Sequence, residues 1–173
     1  IGTGKCFCAG ADLNSLSPPP AAHPGRARLR KLQSWFSRYM NMEKPVVCGL
    51  NGTVAGGGIG LALGADFRIA ADSVSFRSSF MAIGAVPDMA AQYLLPRLLG
   101  LARAKEFLML NQTIDAQAAL RLGLVTQVVP AEELETELKH LLEKHPNADL
   151  NHGRAYLASL IANERVFQLL ESV

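Results

Sequence analysis

Apolar residues in this chain follow two rhythms: short runs and stripes at helical spacing. Residues 46–50, 66–71, 75–77 and 124–129 are short apolar-rich runs, and each predicts a strand. Residues 1–7 read as the tail of another strand, closed by a Gly/Lys turn. Leu29, Leu32, Phe36 and Met40 recur at helical spacing and predict a helix over about 25–42. Further helices are expected over about 89–98 (interrupted near Pro96), 101–110, 131–144 and 156–170. A short one, capped by Thr113 or Asp115, should end near Gly123. Short strands alternating with helices argue for an α/β fold.

One stretch interrupts both rhythms. Val54 to Leu63 reads Val-Ala-Gly-Gly-Gly-Ile-Gly-Leu-Ala-Leu, three glycines opening an apolar segment that reads as a buried helix. Glycine there leaves backbone N–H groups uncovered and lets a ligand approach. With the helix dipole, such a place can hold a phosphate or the oxyanion of an enolised carbonyl. Close helix packing is the alternative reading. The dinucleotide fingerprint is excluded, because its third glycine or alanine would fall on Leu61 or Leu63. A phosphate-loop Gly-Lys-Ser/Thr is absent as well.

Composition narrows the class. A chain of 173 residues with 49% hydrophobic and 18% charged residues suits one compact domain with much buried surface. The net charge of +2 argues neither for nor against a polyanion; no nucleic-acid or membrane partner is expected. Cys6, Cys8 and Cys48 are odd in number and no Cys/His cluster has zinc spacing. Free thiols, no metal and a reducing, cytoplasmic setting are therefore expected. Arg26, Arg28, Arg30 and Lys31 form a basic cluster, read as a solvated face. His23, His140, His145 and His152 sit in polar surroundings with no nucleophile tied to them.

Four blocks together resemble the crotonase (enoyl-CoA hydratase/isomerase) superfamily. They are Gly4-Lys5-Cys6-Phe7-Cys8-Ala9-Gly10-Ala11-Asp12-Leu13; Lys44-Pro45-Val46-Val47 through Asn51-Gly52 and Ala55-Gly56-Gly57-Gly58 to Asp66; Val86-Pro87-Asp88 through Leu95-Pro96-Arg97-Leu98-Leu99-Gly100; and Leu122-Gly123-Leu124-Val125. The resemblance covers roughly residues 1–130. It implies a spiral of ββα units that binds an acyl-CoA thioester, with coenzyme A as part of the substrate and no permanently bound cofactor. Residues 1–130 would be the acyl-CoA-binding core, lacking the family's N-terminal part, and 131–173 a helical region for interaction or trimerisation. The family's oxyanion-hole donors fall on the backbone N–H groups of Ala9 and Gly57. Cys8, Ala11, Asp12, Leu13, Ala55, Gly56, Phe80 and Val86 fall where the substrate and its coenzyme A would lie. A homotrimer or dimer of trimers is implied.

The departures carry as much information. The hydratases use two glutamates; this chain has Gly60 and Phe80 at those places, and neither moves a proton. Asp88 remains, where some isomerases of the family carry a proton-shuttling aspartate. The pattern around Phe76, Phe80, Gly84-Ala85-Val86-Pro87-Asp88 and Leu94-Leu95-Pro96-Arg97 is most similar to the 1,2-epoxyphenylacetyl-CoA isomerases. The expected activity is acyl-CoA isomerisation, moving a double bond or opening an epoxide. The alternatives are a hydratase or hydrolase with its acid/base elsewhere, or a non-catalytic acyl-CoA-binding subunit. Asp after Pro is also a common helix N-cap, which is the plain structural reading of Asp88. As a base it would need desolvation, for which Phe80, Met81 and Val86 are candidates. Asp66 is expected to satisfy backbone groups, and Asp12 to cap a helix. A glutamate restored at position 60 is expected to leave turnover intact.

Overall fold

The computed structural model describes residues 1–13 and 23–143. Its elements run β1 (Cys6–Cys8), α1 (His23–Met40), β2 (Val47–Leu50), β3 (Thr53–Ala55), α2 (Gly57–Leu63), β4 (Phe67–Ala71), β5 (Ser75–Arg77), α3 (Ala91–Leu99), α4 (Leu101–Met109), β6 (Thr113–Asp115), α5 (Ala116–Arg121), β7 (Gln127–Val129) and α6 (Leu134–Glu143). The helix expected over 156–170 lies outside the described residues.

The strands form two sheets. One has the order β1-β3-β5-β6 and the other β2-β4-β7. All neighbours are parallel except β5 and β6. Chain order explains the pattern: β2 and β4 each lie in the three-stranded sheet, and the strand that follows each, β3 or β5, crosses to the other. After β3, α2 returns the chain to β4; after β5, α3 and α4 lead first to β6 in the same sheet, and α5 then returns the chain to β7. This is the expected spiral of ββα units with one added strand. Leu50, Ile59, Phe76, Leu95, Phe107 and Leu124 join elements of every turn into one hydrophobic core.

Two strands were not expected from the pattern. β3 is squeezed between the Asn51-Gly52 turn and the glycine run, and β6 covers Thr113 to Asp115, the residues read as helix caps. Pro96 sits inside α3 without interrupting it. Asp115 is the cap of α5; its Oδ1 accepts from the Ala118 amide at 2.7 Å. Leu134 is buried in the core, and Leu138 fills the space over Gly49 so closely that a β-carbon there would collide with it. α6 thus packs against the core through Leu134 and Leu138.

In β4 the pleat is the reverse of what side-chain polarity suggests: Phe67 is exposed and Arg68 is buried. Arg68 Nε donates to the Leu124 carbonyl at 2.7 Å, and Nη1 donates to the Ala65 carbonyl. Its own carbonyl accepts from the Thr126 amide and hydroxyl at 2.8 and 2.7 Å. Desolvation lowers the Arg68 pKa, against the opposing pull of Cys48, Asp66 and Tyr39. Asp66 has the backbone role expected of it, Oδ2 accepting from the Val46 amide at 2.7 Å.

Candidate active site

The site is assembled from three pieces of chain. The first is the end of β1. Asn51 holds it: its Oδ1 accepts from the Gly2 amide at 2.9 Å, and its Nδ2 donates to the Gly4 carbonyl at 2.8 Å. β1 also pairs with β3, bringing Cys8 level with Val54. Beyond Cys8 the chain turns at Gly10, whose φ of +91° suits glycine alone. A β-carbon on Gly10 would stand 3.1 Å from the Ala55 carbonyl and 3.5 Å from the Gly57 nitrogen. The Ala9–Gly10 turn therefore lies directly beside Gly57.

The second piece is β3 and α2. Gly56 has φ +52° and ψ −129°, again a glycine conformation, and it turns the strand into the helix. Gly57 is the first residue of α2, so its amide has no acceptor within the helix. No hydrogen bond joins the Ala9 or Gly57 amide to another described residue. With only seven residues, α2 is a short dipole. The useful feature is the pair of neighbouring amides. Gly58 serves packing: a β-carbon there would meet the Cys8 carbonyl at 2.5 Å and Cys8 Cβ at 2.8 Å. The packing reading of the glycine run therefore holds at Gly58.

The third piece is the turn leading into α3. Gly57 and Gly60 lie three apart, on one face of α2, and residues 88–89 sit on that bare face. A β-carbon on Gly57 would stand 3.1 Å from Asp88 Oδ1 and 3.2 Å from Met89 Cγ. One on Gly60 would collide with the Met89 carbonyl oxygen. Asp88 Oδ1 is shut off from solvent. The N-cap of α3 is Ala90, two residues beyond Asp88. Met89 and Ala90 have φ of +49° and +57°, and the Ala91 amide donates to the Asp88 carbonyl at 2.9 Å. That is a tight turn with two left-handed residues, a conformation favouring Gly, Asn or Asp. In Met and Ala it costs ~1–3 kcal/mol apiece.

Other residues named from the sequence are placed as follows. Ala9, Ala11, Asp12 and Leu13 are exposed beyond β1, with Leu13 58% accessible, while Cys8 is half-buried. Ala55 is buried and Gly56 half-buried at the β3–α2 junction. Phe80 belongs to the core, 4% exposed, rather than to an open wall. Its carbonyl accepts from the Ile83 and Ala85 amides at 3.2 and 3.0 Å, so it anchors the loop above it. Val86 points outward, 82% exposed, and Met81 is half-exposed. Both are more open than a desolvating wall would be, and the backbone of Gly57 lies against Asp88 Oδ1. A glutamate at position 60 would set its β-carbon on the Met89 carbonyl oxygen, so it cannot enter without moving that backbone. Among the described residues no group of three His, Cys, Asp or Glu is placed to hold a metal ion. No helix among them is long and apolar enough to cross a membrane.

Sequence reasoning missed Met89 and Ala90. Nothing in their side chains signals a left-handed turn; the only trace was Gly60, which was read as a lost carboxylate.

The family model described as Enoyl-CoA hydratase/isomerase matches residues 1–170. The 1,2-epoxyphenylacetyl-CoA isomerase of Escherichia coli (strain K12) is 39% identical over 143 residues, 81% of this chain and 55% of that protein. The crotonyl-CoA hydratase of Syntrophomonas wolfei is 40% identical over 140 residues, 79% of this chain and 52% of that protein. The crystal structure of enoyl-CoA hydratase from Bacillus anthracis superimposes with a TM-score of 0.84 at 31% identity, covering 97% of this chain and 66% of that one. The chain thus spans about half the length of these curated relatives. An isomerase and a hydratase are equally similar to it, so identity does not choose an activity. By its match to the family model, its relatives and its fold, the chain belongs to the enoyl-CoA hydratase/isomerase family, the crotonase superfamily.

Proposed function

We propose that the protein is an acyl-CoA isomerase in which Asp88 moves the proton and the amides of Ala9 and Gly57 hold the enolate. The observation that carries this reading is the position of Asp88. Its Oδ1, shut off from solvent, faces the residue that bears one of the two amides. No side-chain carboxylate stands at positions 60 and 80. A single carboxylate suits a reaction in which one proton leaves one carbon and returns to another. Addition of water, as in the hydratases, would have to draw its second acid/base from elsewhere.

The steps balance without a further reagent. The Asp88 carboxylate takes a proton from the carbon next to the thioester carbonyl. The freed electron pair moves onto the carbonyl oxygen, where the two N–H groups stabilise the charge. The protonated Asp88 then delivers the same proton to the far end of the conjugated system, shifting the double bond from position 3 to position 2. Epoxide opening would start from the analogous enolate: its collapse breaks the epoxide C–O bond and forms a C=C bond, and the alkoxide takes the proton held by Asp88. Coenzyme A enters only as part of the substrate and lies along Cys8 to Leu13. The protein works as a homotrimer or a dimer of trimers in the cytoplasm.

The test is deuterium exchange at the α-carbon of a bound thioester. Exchange is expected in the native protein and lost in Asp88→Asn, with thioester affinity retained. Undiminished exchange in Asp88→Asn overturns the assignment of the base. For the hole, Gly57→Pro removes one donor while proline remains acceptable at the first helical position. Its ring also crowds Asp88, so Gly57→Ala serves as the control that keeps the N–H. The proline variant should lose a further ~2.7–4 kcal/mol of transition-state stabilisation relative to the alanine variant. Equal rates in the two would place the hole elsewhere.

A further inference from the structure

We propose that Gly60 and the left-handed pair Met89–Ala90 are positioning residues that set Asp88 against Gly57. The inference rests on Asp88 being the proton-transfer residue. Three observations meet here. The Met89 carbonyl oxygen occupies the space that a β-carbon on Gly60 would need. Met89 Cγ and Asp88 Oδ1 both lie against the bare backbone of Gly57, one turn earlier on the same helix face. The backbone between Asp88 and α3 takes two successive left-handed conformations without a glycine to ease them.

Each observation needs the others. A turn of this kind folds the chain back over one residue step, and so drops the Met89 carbonyl onto α2. It can descend that far only because position 60 has no side chain. A carbonyl oxygen set against a backbone C–H group is mildly stabilised, and the interaction is directional. The strain persists because packing on both sides over-determines it, as at other sites where geometry is functional. The absent glutamate is therefore more than a lost acid. Its place is taken by the backbone that aims the remaining aspartate, so a glutamate cannot return at position 60 without moving that backbone.

The test varies the turn and its seat separately and reads rate apart from affinity. Ala90→Gly relieves one left-handed residue: the unfolding midpoint should rise and kcat should stay at or above the native value. Ala90→Val makes that conformation harder to hold, because branching at Cβ disfavours it. It should lower kcat by on the order of 10²-fold, the usual consequence of a misplaced reacting group. KM and the affinity for an unreactive thioester should stay within about twofold. Gly60→Ala pushes on the Met89 carbonyl and should show the same split, in the native background or in the stabilised Ala90→Gly background. Gly64→Ala, at the C-cap of the same helix, is the control: its β-carbon meets the Tyr39 and Met40 side chains first and the Gly60 carbonyl oxygen only at 3.2 Å. It should cost stability without changing kcat of the folded protein.

A folded Ala90→Val with native kcat overturns the proposal, and so does Gly60→Ala with native kcat. Loss of affinity in step with kcat also overturns it, since that marks general disruption of the site. If Asp88→Asn retains exchange, the assignment of the base has failed instead, and the two failures are distinguishable.

Discussion

The three-stranded sheet and the segment from Met81 to Ala90 treat their polar and apolar groups in opposite ways. In the sheet, a buried arginine has backbone acceptors for its guanidinium, and its own carbonyl is bonded twice. In the segment, Met81, Ile83 and Val86 are exposed, and two residues hold left-handed backbone without glycine. The sheet follows the rule that buried polar groups be satisfied. The segment breaks local rules, and it is the part that carries Asp88. Stability should therefore reside in the first region and turnover in the second, and substitutions should separate them.

The largest separation is expected between Asp88 and Arg68. Asp88→Asn should slow α-proton exchange by about 10²–10⁴-fold, the usual contribution of a positioned acid/base. Its urea midpoint should hardly move. Arg68→Met should do the reverse. It leaves the Leu124 and Ala65 carbonyls without their donor, at ~1–3 kcal/mol each, so stability should fall by roughly 2–6 kcal/mol. Turnover per folded molecule should be unchanged. A catalytic loss in Arg68→Met, measured where the protein is fully folded, would mean that the two regions are coupled.

The same contrast explains what could be read from the sequence. The periodic helices α1 and α6 and the existence of β2, β4 and β5 follow from the sequence, although the facing of β4 does not. β3 and β6 do not register, since β3 is pressed between a turn and the glycine run and β6 shares its residues with the cap of α5. Arg68 misleads because polarity alone places it outward; only its acceptors at Leu124 and Ala65, distant or around a bend, make burial tolerable. In the site, the glycine run gave a physical reason for exposed amides. The meaning of Asp88 came from resemblance, since Pro-Asp before a helix is ordinarily a cap. The left-handed turn had no signal, because Met and Ala do not ordinarily adopt that conformation.

A smaller effect tests whether the ordinary part of the fold behaves ordinarily. Asp115 caps α5 through the Ala118 amide. Asp115→Ala should cost about 1 kcal/mol, typical of a lost N-cap. Denaturant unfolding measures it, and kcat should not change. A loss several times larger would mean that β6 depends on the cap for its antiparallel pairing with β5.

The smallest expected effect is one of pH and concerns the thiol beside Arg68. Cys48 is paired in register with Arg68 across β2 and β4, and it is 7% exposed. Burial raises its pKa, against the opposite pull of the chain's amino terminus and of Arg68. In the unfolded chain the thiol loses its proton near the ordinary value of about 8.5. The folded protein keeps the proton to higher pH. Between those two points the native state binds more protons than the unfolded state, so stability falls as pH rises through that window. Below the window the thiol is protonated in both states and contributes no slope. Lysines and tyrosines also titrate in alkali, so the measurement is a difference: urea unfolding of the native protein and of Cys48→Ala from about pH 7 to 10. The native protein should lose more stability than the variant above about pH 8.5, and the two curves should run parallel below it. Parallel curves throughout would mean that the thiolate is as comfortable in the sheet as in water, and that the three-stranded sheet is less dry than the burial of Arg68 requires.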